Sequence, residues 1–175
     1  LNSGEMMIDI KDEKITDYEA YKIALETRNF EINLFWQRSN YFLVLNATLA
    51  LGFFKLDSEQ EYALLLAFFG LLASFLWYRV NLGSKYWQSR WENRLKIREK
   101  LLSSDLELFS ASWETIDLDV KETIENTHKG KRYFQKWLNR QILHKPSVSY
   151  NMILLSLVFF FAWLCLLFFR IYHFS

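Results

Sequence analysis

Twenty-four consecutive residues without a charge, Pro146 to Phe169, constrain this chain more than any other feature. Within them the run MILLSLVFFFAWLCLLFF is apolar all round. About 20 such residues cross the hydrocarbon of a bilayer as a helix. Arg170, Tyr172 and His173 close the run with groups suited to a membrane surface.

Two further apolar blocks precede it. Tyr62 to Tyr78 is uncharged over 17 residues, with Tyr62 at one end and Trp77 and Tyr78 at the other, the pattern of interfacial anchors. Ser39 to Phe54 is uncharged over 16, which is short for a span on its own. Upstream of it, Tyr18, Tyr21, Leu25, Ile32, Phe35 and Trp36 recur near helical spacing. The two stretches are therefore read as one helix from about 17 to 55, amphipathic first and membrane-inserted second; the alternative is that 39–54 only dips into the membrane, leaving two spans. The polar turn KLDSEQE follows, with Ser58 and Glu61 spaced as a capping box for the next helix. The first two blocks thus form a hairpin, in which Gly52 and Gly70 permit close helix contact.

One Pro and five Gly in 175 residues, with no sustained two-residue alternation, argue against a transmembrane barrel. The expected fold class is all-α: an integral membrane protein with a helical hairpin, cytoplasmic amphipathic helices and a C-terminal transmembrane helix. Its parts are an N-terminal amphipathic arm (1–38), a hairpin (39–78), a charged helical region (79–147) and a last span (148–170). In the charged region, 81–109 reads as a helix continuing from the second span, through Trp87, Trp91, Leu95, Leu102, Leu106 and Phe109. Residues 103–120 include loop or short helices, and a last helix covers about 131–143. The region 79–147 holds 14 Lys and Arg against nine Asp and Glu, while the turn 55–61 holds one against three. The positive-inside rule then places 79–147 and the N-terminal arm in the cytoplasm.

Signals for catalysis are sparse. His128, His144 and His173 lack a second ligand at metal spacing, so neither a metal nor another cofactor is expected. Cys165 reads as a small apolar packing residue. Arg140 and His144 lie one helical turn apart, and with Lys145 they suit lipid headgroups before the last span. The basic run His128 to Arg132 lacks interleaved aromatics, so direct RNA contact is not expected.

Polar residues near the first span are more informative. At 100° per residue, Asn33, Gln37, Asn40 and Thr48 fall within an arc of about 80°. Polar groups facing lipid are costly, so this stripe should meet protein or water. Two readings stand: hydrogen bonding between helices, or the lining of an aqueous pathway in a ring of subunits. Asn46 faces the other way and suits packing between helices. Trp87 and Trp91 suit either a subunit interface or packing against Phe35 and Trp36 of the same chain.

The stretches RNFEINLFWQRSNYFL (28–43) and NLGSKYWQSRWE (81–92) resemble a widespread group of small bacterial membrane proteins. Among these the chain is most similar to the small transmembrane accessory proteins of type VI-B CRISPR systems. That resemblance implies a ring-shaped homo-oligomer in membrane lipid. It also implies a membrane pore that depolarises the inner membrane and strengthens anti-phage defence once a partner RNA-guided RNase is activated. Such proteins have been described as carrying a divergent HEPN-like motif, an arginine and a histidine separated by four to six residues. Here only three residues separate Arg140 from His144, so no catalytic role is carried over to them. The alternatives are a membrane-tethered HEPN-like RNase and a non-conducting adaptor of a defence complex.

Overall fold

The computed structural model describes residues 15–55, 60–103, 105–126, 133–145 and 147–174. Among the described residues, five helices make up the regular structure: α1 (Asp17–Lys55), α2 (Gln60–Leu102), α3 (Trp113–Asn126), α4 (Tyr133–Leu143) and α5 (Val148–Phe174). No strand occurs among the described residues.

The single long first helix expected from the sequence is present with the expected ends. Thr16 and Glu19 start it as a capping box: the Thr16 backbone N–H donates to Glu19 Oε2 at 2.9 Å, and the Glu19 N–H donates to Thr16 Oγ1 at 3.2 Å. At 1.5 Å per residue its 39 residues extend about 58 Å, well beyond a hydrocarbon core. Ser58, one partner in the capping box expected with Glu61, lies outside the described residues, as does the Glu61 side chain.

α2 is the central helix, packed against α1 on one side and α5 on the other. It ends at Leu102, earlier than the hydrophobic spacing predicts. Leu106 and Phe109 continue the period but lie in an irregular segment. Glu99 causes the difference by capturing the chain as it turns, as described below. α3 and α4 pair with each other.

Among the described residues, two helices, α2 and α5, are long and apolar enough to cross a membrane. Only 17% of the apolar window in α5 is buried, whereas the core helix of a soluble protein would be mostly covered. Its uncovered apolar surface suits hydrocarbon. Cys165 shares that surface: it is exposed, not packed within the chain as its apolar setting predicts, because it points away from α2.

The packing repeats every seven residues. On α2, Ala63, Ala67, Gly70, Ser74, Trp77, Asn81, Ser84, Gln88 and Leu95 are buried at alternating spacings of four and three, with half-buried Trp91 completing the series. Ser149, Ser156 and Trp163 of α5, and Ser39, Asn46 and Phe53 of α1, are buried at sevens. This is the seam of antiparallel coiled-coil packing, built from small and polar residues that let backbones approach closely. Gly52 lies under Leu66 of α2, at 3.2 Å from the place its Cβ would take. Gly70 accepts the Trp163 indole of α5, so it serves the third helix rather than the hairpin.

Candidate functional site

Polar side chains form a ladder inside the three-helix unit. Ser149 Oγ donates to Gln88 Oε1 at 2.8 Å near the start of α5. Seven residues farther along α5, Asn81 Nδ2 donates to Met152 O at 3.1 Å and to Ser156 Oγ at 3.4 Å. Seven beyond that, Asn46 Oδ1 accepts from Ser74 Oγ at 2.8 Å and from Trp163 Nε1 at 2.9 Å. Its Nδ2 donates to Phe42 O at 2.8 Å. Asn46 therefore joins α1, α2 and α5 at one point, the packing role its position predicts. Phe53 meets the Trp163 ring edge-on at 5.9 Å, and the Arg170 guanidinium sits 5.2 Å over Phe53. Residues 149–170 of α5 thus run beside the apolar half of α1, with Phe53 level with the far end of α5.

Sequence reasoning misses this ladder as a unit, although a signal for it exists: Ser74, Asn81 and Gln88, and Ser149, Ser156 and Trp163, each stand seven apart.

The stripe Asn33, Gln37, Asn40 and Thr48 lies elsewhere. All four are exposed. The buried residues of α1, Ala24, Phe35, Ser39, Asn46 and Phe53, centre about 170° around the helix from it. Thr48 Oγ1 donates to Val44 O of its own helix at 2.9 Å. Among the described residues, Asn33, Gln37 and Asn40 make no hydrogen bond to another helix. The stripe is the outer face of α1, turned away from the rest of its own chain.

Trp87 is 43% exposed and Trp91 is half-buried. The Arg90 guanidinium stands 5.3 Å from the Trp87 ring centre and 6.0 Å from that of Trp91, and Tyr86 meets Trp87 edge-on. Phe35 is buried and stacks edge-on with Trp36.

Arg140 and His144 are exposed, and the structure separates their settings. Arg140 belongs to α4, while His144 stands in the turn beyond it, its N–H bonded to Gln141 O at 3.2 Å. The basic run 128–132 lies outside the described residues, as does the side chain of His173. No group of three metal-ligating side chains occurs among the described residues.

Glu99 is a fully buried carboxylate near the end of α2. Oε1 accepts the Leu108 N–H at 2.9 Å, and Oε2 accepts those of Phe109 and Ser110 at 2.8 and 2.7 Å. Burial alone would raise its pKa; the Phe109, Ser110 and Leu108 hydrogen bonds outweigh it and hold the pKa below its ordinary value. Burial, then the charge of Glu99, raises the pKa of Tyr21 on α1. Arg28 lies 5.4 Å over Phe109 and 3.9 Å from Glu92. The carboxylate thus folds 108–110 back against α1 and α2.

An all-helical chain with two membrane-length apolar helices and a hydrogen-bonded seam between its long helices defines a small α-helical membrane protein. Residues 18–172 match the octameric membrane protein family (8xMP), and the chain belongs to that family of membrane oligomers. Comparison with curated proteins and with solved structures returns no match.

Proposed function

We propose that the protein is a homo-oligomeric pore that permeabilises the inner membrane as an accessory of CRISPR-based anti-phage defence. The observation that carries the pore reading is the outer face of α1. Asn33, Gln37, Asn40 and Thr48 are exposed on it, opposite every buried residue of that helix. Asn40 and Thr48, the two that fall in the uncharged half of α1, are unfavourable against lipid and are relieved by water or by a second subunit.

α1 crosses the bilayer in this reading. α5 has the length and apolarity of a span, and the contacts from Gln88–Ser149 to Phe53–Trp163 keep α1 and α2 beside it. The charged ends of α1 and α2, with α3 and α4, then lie on the cytoplasmic side. Three spans do not enclose a channel, so a pathway needs copies related by a closed rotation. The family description supports a ring of eight. In the ring α1 turns its polar face to the axis, α5 faces lipid, and Trp87 and Trp91 face a neighbouring subunit. The chain transforms no substrate; its partners are lipid, further copies of itself and an RNA-guided RNase. The defence role rests on the resemblance carried by 28–43 and 81–92.

Flux through proteoliposomes tests this reading. The purified protein should collapse an imposed potassium gradient, and Asn40→Leu or Thr48→Leu should slow the collapse by narrowing or dewetting the path. Flux unchanged by both substitutions removes the stripe from the mechanism. No flux, with full function from a membrane-tethered 79–147 segment, favours the adaptor. RNA cleavage abolished by His144→Ala favours the RNase.

A further inference from the structure

α4 carries a face rich in aromatic side chains, with Gln141 among them, that none of the described residues covers. Tyr133, Phe134, Trp137 and Leu138 fall within an arc of about 140° at 100° per residue. They are 93%, 67%, 55% and 39% exposed. The other side of the helix, at Asn139 and Leu143, is half-buried. Trp and Tyr are the residues that settle where hydrocarbon meets headgroups.

The position of α4 is restricted. It ends at Leu143 and α5 begins at Val148. A link this short reaches about 17 Å at most, so the end of α4 stays at the level where α5 enters the bilayer. The turn between them is shaped: Lys145 adopts a left-handed conformation, φ 49°, and its N–H bonds to Ile142 O at 3.0 Å. Its ammonium group stands 3.4 Å from Asp117 and 4.7 Å over the Trp113 ring, which fixes α3 to the same corner.

Charge indicates which surface is met. From Asn126 to the last residue there is no Asp or Glu, while 126–147 contains six Lys and Arg. An acidic leaflet is the complement of such a segment.

We propose that α4 lies in the plane of the membrane surface beside the entry to α5, with its Tyr133–Phe134–Trp137–Leu138 face sunk among the headgroups and upper acyl chains of acidic phospholipid. Arg140, flanking that face, reaches phosphate with its guanidinium while its stem covers apolar surface. The helix is an interfacial anchor that sets the depth of α5 and ties the charged region to the lipid. This holds whether or not the assembly conducts.

The test uses full-length protein with Cys165→Ser. Single cysteines placed by Phe134→Cys, Leu138→Cys or, as a control on α3, Glu122→Cys carry an environment-sensitive fluorophore. Each is reconstituted in vesicles of phosphatidylethanolamine and phosphatidylglycerol. Spin-labelled lipid should quench positions 134 and 138 at least about threefold more than 122, with aqueous iodide showing the reverse order. Replacing phosphatidylglycerol with phosphatidylcholine should reduce the lipid quenching. Iodide quenching at 134 and 138 equal to that at 122 overturns the proposal by placing α4 in water. Protection from both quenchers overturns it by placing the face against protein, such as a second copy.

Discussion

Trp163 and Asn46, 117 positions apart, share a buried hydrogen bond of 2.9 Å. The same Asn46 oxygen accepts from Ser74, so one side chain holds three helices in register. Asn46→Leu removes both bonds and leaves the Trp163 N–H and the Ser74 hydroxyl without an acceptor. At roughly 0.6–1.7 kcal/mol per interhelical bond, the expected destabilisation is about 1–3 kcal/mol. Reversible unfolding in bicelles measures it. Asn40→Leu, on the open face of the same helix, should shift the unfolding of an isolated protomer by no more than about 0.5 kcal/mol.

Gly70→Ala should be poorly tolerated despite the high helix propensity of alanine. A Cβ at Gly70 meets the fused bond of the Trp163 indole, and α5 must move to admit it. Overpacking of this kind costs about 1–3 kcal/mol. In a Trp163→Leu background the Gly70→Ala penalty should largely vanish, because the clashing ring is gone. A double-mutant cycle of unfolding free energies checks this.

Glu99→Gln removes the charge that three backbone N–H groups share. Amide exchange at Leu108, Phe109 and Ser110 should rise roughly tenfold or more, since hydrogen bonds to a charged acceptor are the stronger class. Exchange in α5 should stay as it was.

Acid should imitate that substitution. The Glu99 pKa is lowered in the folded chain. Its contribution is therefore fully present above the ordinary glutamate pKa of about 4.3. It is lost as pH falls through the lowered folded value. Exchange at the same three amides, corrected for the intrinsic effect of pH, should accelerate as pH falls through that range and level off below it, and the Glu99→Gln variant should show no such step.

Sequence periodicity carried the long elements. Tyr18, Tyr21, Leu25, Ile32, Phe35 and Trp36 marked the amphipathic half of α1, and uncharged length marked α5. It failed at the end of α2, where Leu106 and Phe109 preserve a helical period although the chain has turned. There a single tertiary contact, Glu99 to the backbone of 108–110, overrides local pattern, and a glutamate in a charged helix gives no local sign of it. Cys165 misled for a related reason: apolarity reports burial in water-soluble proteins, while on α5 it reports the solvent. The polar ladder was encoded in sevens. Ser74, Asn81 and Gln88 looked like isolated polar interruptions because their partners, Asn46, Ser156 and Ser149, are distant in sequence.

The most direct measurement is single-particle imaging of the detergent-solubilised full-length protein at a resolution that distinguishes the helices. A closed ring of subunits, with α1 nearest a central opening and Asn33, Gln37, Asn40 and Thr48 around it, is the predicted result. A ring sealed at its axis, one with α5 innermost, or dispersed single protomers would contradict the account.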